Sequence, residues 1–198
     1  MPRLALNKTS LTRETAQLAT YERFLPSLDL KRRQLIAERN RARRSVGELE
    51  SASRDRKAAL GDRLPMAADE RISLRELVTV RAVQLDEENV VGLKLPVMAS
   101  IELAVAPYSR LARPHWVDTL VAELEALLEL GIRRQVAVRR LAILDRAVKK
   151  TTQRVNLFDK VLIPRTRDHI RRIRISLSDA ERAAVVNAKI AKRKRQSG

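Results

Sequence analysis

Only two histidines, His115 and His169, stand in this chain, far apart, and there is no cysteine to accompany them. A structural zinc site needs four clustered ligands, so no zinc motif is spelled, and without thiols neither disulfides nor thiolate chemistry is available. The stretch "ELGIRRQ" holds one glycine and no GK[ST], so no phosphate-cradling loop is present. Serine, histidine and aspartate all occur, but no strand-to-helix nucleophile elbow sets a triad. Carboxylates are spread along helical patterns beside basic neighbours, the ordinary solvated-face arrangement. The side chains point to no catalytic constellation, metal or cofactor.

What remains is electrostatic. Net charge is +17 over 198 residues. Residues 1–64 hold 15 basic and 8 acidic groups, residues 65–113 hold 6 and 7, and residues 114–198 hold 20 and 9. Both ends are therefore basic around a neutral middle, which favours an anionic partner without choosing one. The densest stretches are "KRRQLIAERNRARR" (Lys31–Arg44) and "KIAKRKR" (Lys189–Arg195). They suit phosphates in principle, and one reading from the residues is a basic coiled-coil adaptor for nucleic acid. Against it, the first stretch is interleaved with apolar seam residues. The only aromatics are Tyr21, Phe24, Tyr108, Trp116 and Phe158, too few to stack bases, and no helix-turn-helix or zinc module occurs.

The elements that carry these charges are long. In residues 1–64, Leu11, Leu18 and Leu25 are seven apart. With these as a positions, Tyr21, Leu28, Leu35, Ala42 and Leu49 fall at d, and a resumes at Val46 and Leu60. That is a heptad seam, interrupted by Arg32, Arg39, Ser53 and Arg56. Pro26 lacks an N–H and crowds the Glu22 carbonyl, so a kink is expected there. About 58 helical residues at ~1.5 Å each would span roughly 90 Å. Residues 65–113 change period. In "VVGLKLPVMASIELAVAP", Val91, Leu93, Leu95 and Val97 alternate, then Ile101, Leu103 and Val105. This reads as one or two β-hairpins with an acidic turn at Asp86–Asn89, and Pro96 at an edge or bulge.

Residues 114–198 return to helix. Leu141, Leu144, Val148, Thr151, Val155, Phe158 and Leu162 keep 3–4 spacing, and the seam resumes at Ile170, Ile173, Leu177, Ala180 and Ala184. From Phe158 the steps to Leu162, Thr166 and Ile170 are four each, a stutter that coincides with Pro164. The helix is expected to bend there and continue. "SDAE" (Ser178–Glu181) is a rival capping box, but the apolar spacing passes through it. No apolar run approaches the ~18 residues of a membrane span, and "MPRLALNKTS" lacks the apolar centre of a signal peptide.

Two seamed helices around a compact insertion should fold back as an antiparallel coiled coil, giving a mainly α fold with a small hairpin-containing middle. In the expected register, facing residue numbers total about 190. Leu28 then faces Leu162, Leu35 Val155, Ala42 Val148, Val46 Leu144 and Leu49 Leu141, each an a–d match. Pro26 comes level with Pro164. A register of 197 is worse, because it sets Leu141 against Arg56 and Leu144 against Ser53.

This pattern resembles the D subunit of the V-type and A-type rotary ATPases. The likeness lies in "NKTSLTRETAQL" and "LDLKRRQLI", in "VVGLKLPV" with Gly92 and Pro96, and above all in "RVNLFDKVLIPRTRDHIRRIRISLSDAERA". There Arg154-Val155-Asn156-Leu157, Ile163-Pro164, Ile170, Leu177, Asp179 and Glu181-Arg182 keep the family's spacing. Tyr21 and Phe24 depart from it, standing where the family has a small residue and a glycine, and Pro26 is unusual. The resemblance implies a non-catalytic central rotor shaft, peripheral on the cytoplasmic face of a membrane. Its terminal helices would stand in a hexamer of A and B subunits. Its insertion would face the F subunit and the funnel-like subunit (C or d type) on the membrane rotor ring, with no membrane insertion or nucleic acid of its own. Arg182, Lys189, Lys192, Arg193, Lys194 and Arg195 are the residues expected to meet the hexamer sleeve.

Overall fold

A computed structural model describes residues 4–68, 77–108 and 114–196. Helix α1 spans Lys8–Arg63 and is followed by a short 3-10 turn at Pro65–Ala68. Strands β1 (Val78–Val90) and β2 (Leu93–Val105) pair antiparallel as one hairpin. Helix α2 (Trp116–Leu157) passes through a π-helical turn at Phe158–Leu162 into α3 (Ile163–Gln196). The chain divides into two compact units, one of Met1–Arg32 with Lys149–Gly198, the other of Arg33–Val148.

Helix α1 starts where Asn7 accepts the Ser10 amide hydrogen at 2.7 Å, an N-cap for one of the orphan donors of the first turn. The heptad reading holds along it. Every a and d position from Leu11 to Ser53 is buried or half-buried, and the phase is the same on both sides of Pro26. Arg56, the next d position, is exposed and turns its guanidinium to Glu123 at 2.6 Å.

In the unit of Arg33–Val148, Leu35, Ala42, Leu144 and Val148 form one buried cluster with Leu95 of the hairpin. The helices run antiparallel, as Arg39–Asp145, Glu50–Arg134 and Arg56–Glu123 show. The register differs from the expected one. Arg39 meets Asp145 rather than Thr151, and Glu50 meets Arg134 rather than Arg140. Facing numbers total about 183, one heptad lower, which keeps a against d. Charge decides between the two. The expected register sets Arg56 against Arg134, a like-charge pair, and leaves Arg39 facing a threonine. The observed one gives Arg56, Arg134 and Arg39 each a carboxylate.

The other unit follows the same shift. Glu14, buried, holds His169 at 3.1 Å, where the expected register offered Ser176. Tyr21 meets Phe158 edge to face, with ring centroids 5.4 Å apart. Arg167, an exposed long side chain, reaches along the seam to Glu22 at 2.8 Å, a pair that totals 189 and does not itself mark the shift. Pro26 and Pro164 are therefore not level, and the expectation of two prolines at one height is corrected. The π turn answers the stutter. Twelve residues from Phe158 to Ile170 overrun three turns by about 120°, and one extra residue in a wide turn absorbs about 100° of it. The Ile163 amide bonds the Phe158 carbonyl, five residues back, so the chain has already left α-helical pairing when Pro164 arrives without a donor. Ile163, Thr166, Ile170 and Ile173 are buried beyond it.

Two further expectations are corrected. Ala180 and Ala184 are exposed, not seam residues, because at this register Lys8, where α1 begins, lies level with about residue 175 and the helix does not reach them. The Asp86–Asn89 stretch is strand, paired with Lys94–Val97. The turn is Val91-Gly92, with φ of 54° and 76°. Two successive residues at positive φ match the right-handed twist of a hairpin, and Asn89 accepts the Gly92 amide hydrogen at 3.0 Å. Helix α3 continues unbroken through Ser178–Glu181.

Candidate partner-binding surfaces

Arg182, Lys189, Lys192, Arg193, Lys194 and Arg195 all lie on the last turns of α3 and are exposed, as is every residue from Asp179 to Gln196. No acidic residue follows Glu181. At about 100° per residue, Arg182, Lys189 and Arg193 share one arc of roughly 40°, with Val186 and Ile190 beside them. Sequence spacing alone does not mark the apolar members as a site. Val185, Val186 and Ile190 are 56%, 54% and 49% exposed. Branched apolar side chains left in water on an otherwise charged helix mark a surface awaiting a partner. Val186, Ile190, Lys189 and Arg193 line one shallow groove. Burying it needs an apolar strip flanked by carboxylates.

The residues expected to form the seam lie on the covered faces of the helices to different degrees. Leu35, Leu144, Val148 and Val155 are buried, while Leu28, Val46, Leu49, Leu141 and Leu162 are half-buried. Of the aromatics on α1, Tyr21 is covered by Phe158. Phe24 stays 48% exposed under the Arg23 guanidinium, 5.7 Å from the ring centre.

A second surface is the hairpin. Its base packs through Leu77 and Val78 against Trp116, Val117, Leu120 and Val121. Its tip packs through Val90, Val91, Leu93 and Leu95 against the Leu35–Leu144 cluster. Arg140 of α2 bonds Glu88 of β1 and tethers the tip. Glu87 holds Lys94 at 2.9 Å and raises its pKa above the ordinary lysine value, through the hydrogen bond first and its charge second. Among the described residues, no three His, Asp or Glu side chains gather as metal ligands, and no helix is long and apolar enough to cross a membrane.

The family model for the D subunit of ATP synthase matches residues 10–193. The chain belongs to that family. It is 30% identical to a V-type ATP synthase D subunit of Borreliella burgdorferi, across 97% of this chain and 95% of that one. It is 35% identical to a V-type ATP synthase D subunit of Chlamydia abortus, across 96% and 93%, and 34% identical to that of Chlamydia caviae, across 98% and 94%. The likeness takes in both helical ends and the hairpin, so the exposed basic end of α3 lies almost wholly within the family match.

Proposed function

We propose that this chain is the non-catalytic central-stalk rotor subunit of a V/A-type rotary ATPase or ATP synthase. It carries torque between ATP hydrolysis or synthesis in a hexamer of A and B subunits and ion movement through the membrane part. Residues 1–64 and 114–198 act as the shaft, and residues 65–113 as an insertion facing the F subunit and the funnel-like subunit on the membrane rotor. The complex holds the chain peripherally on the cytoplasmic face. The observation that carries this reading is the end of α3. A shaft that turns inside a sleeve needs a terminal segment uncovered by its own chain, and Asp179–Gln196 is uncovered throughout.

The composition of that end suits a bearing. Exposed ion pairs contribute only about 0–1 kcal/mol each, so Arg182, Lys189, Lys192, Arg193, Lys194 and Arg195 hold a partly acidic sleeve without locking one angle. The wide turn before Pro164 and the proline at 26 interrupt regular α-helical hydrogen bonding, and such interruptions would let the shaft flex as it turns and favour different hexamer conformations. The test is a pull-down of the tagged chain from native membranes at moderate salt. Recovery of the ATPase subunits supports the reading. Salt-sensitive retention on DNA without those subunits would replace it with the nucleic-acid adaptor.

A further inference from the structure

The hairpin is anchored at both ends and hollow between them. Leu77 at its base is 4% exposed and Leu95 near its tip 0%, yet between these anchors Val80, Val83 and Leu85 are 41%, 37% and 46% exposed. They face α2 across a cavity of about 610 Å³, whose floor includes Leu127, Leu128 and Ile132. The strands bend over it at two bulges, between Val80 and Ala82 and between Gln84 and Leu85. The extra residue at the first places Val80 and Val83, three apart, on the same side of the vault.

Two features of the floor suit an occupant. Gly131 sits in the middle of α2, where glycine is among the poorest helix formers, and a Cβ placed there meets nothing within 4 Å. The chain's own packing gives no reason for it. A glycine on an open helix face permits the close approach of another backbone. Arg139 also lines the cavity. Its neighbours Arg133, Arg134 and Arg140 are paired with Glu129, Glu50 and Glu88, whereas Arg139 makes no hydrogen bond or ion pair among the described residues. An apolar vault, a bare glycine floor and one unanswered guanidinium at the edge are complementary to an amphipathic helix that carries a carboxylate.

We propose that the vault between the hairpin and α2 seats an apolar helical segment of another protein chain, which crosses α2 at Gly131 and places an Asp or Glu on Arg139. For the source of that segment the inference rests on the reading of the chain as part of a rotary ATPase. The helix-in-groove mode places apolar anchors at i and i+3 or i+4, and Leu128 and Ile132 supply a receiving ridge with that spacing.

The experiment uses the lack of native cysteine. Val83→Cys gives a single thiol over the vault, and its rate of maleimide labelling is compared in the free full-length chain and in the purified ATPase. At least about tenfold slower labelling in the complex is expected. Gly131→Phe fills the seat, and Arg139→Glu repels the carboxylate. Each should return the labelling rate towards that of the free chain, and thermal melts of the free variants check that they fold. Should Gly131→Phe fail to fold, surface Arg139→Glu still decides. A chain that is incorporated but labels at the free rate overturns the vault proposal alone. Protection of the free chain that grows with its own concentration assigns the seat to a second copy and also overturns it. Failure of the chain to join the ATPase overturns the rotor reading, and the vault proposal with it.

Discussion

Among the described residues, Glu14 and His169 form the one contact in the unit of Met1–Arg32 with Lys149–Gly198 where a carboxylate is taken nearly out of water, its side chain 9% exposed and the imidazole 23%. The Glu14 Oε2–His169 Nδ1 distance is 3.1 Å, and the other nearby cation, Arg13, lies 3.9 Å away and is 64% exposed. Replacing His169 with alanine leaves the carboxylate buried and nearly unpartnered. The desolvation penalty for such a group is about 1–3 kcal/mol, and for a domain of this size about 1 kcal/mol moves Tm by roughly 2–4 °C, so His169→Ala should lower Tm by roughly 2–12 °C. Replacing both residues with leucine should be neutral or stabilising, because an apolar pair of similar volume requires no desolvation of charge. Urea unfolding of wild type, Glu14→Leu, His169→Ala, His169→Leu and the double-leucine variant, followed by helical circular dichroism, closes the cycle. A His169→Ala midpoint equal to wild type, or a double variant as unstable as the alanine variant, would refute the reasoning. The same cycle probes register, since a polar pair within a seam is a device for specifying alignment.

Cysteines placed at Ala42 and Leu141 should form a disulfide under mild oxidation, and cysteines at Ala42 and Val148 should not; the opposite result would restore the expected register in place of the one observed. Leu95→Ala should cost about 2–5 kcal/mol, as for other fully buried leucines. The same truncation at Leu85, 46% exposed, should cost under about 1 kcal/mol, and equal urea midpoints for the two would contradict the anchoring of the hairpin tip. Neutralising three or more of Lys189, Lys192, Arg193, Lys194 and Arg195 should weaken ATPase assembly or coupling more than ATP hydrolysis by the assembled hexamer. Equal loss of hydrolysis with assembly intact would count against the bearing role.

Much of the fold is legible because it obeys one period. From Leu11 to Ser53 the 3–4 spacing of apolar residues names the buried face of α1, including the positions taken by Arg32 and Arg39. The steps of four from Phe158 announce a disturbance at Pro164. They do not specify a π turn, because spacing reports accumulated angle and not which hydrogen bonds absorb it. Gly92 marks the hairpin turn, yet the acidic run before it reads as the bend. Acidic residues are compatible with an exposed strand once Lys94 and Arg140 answer them.

The basic end of α3 is plain from composition, while the exposure of Val185, Val186 and Ile190 is hidden as long as the seam is taken to run on. Taken alone, the residues determine that two long helices flank a short β segment, and which face of each helix is apolar. Only the tertiary structure decides how those faces align, where coverage ends, and that the hairpin leaves a hollow over Gly131. A heptad repeat is degenerate under a shift of seven residues. Apolar residues find apolar partners at more than one shift, so the choice between 190 and 183 falls to the few charges that must find partners across the interface, and those partners lie more than sixty residues away along the chain.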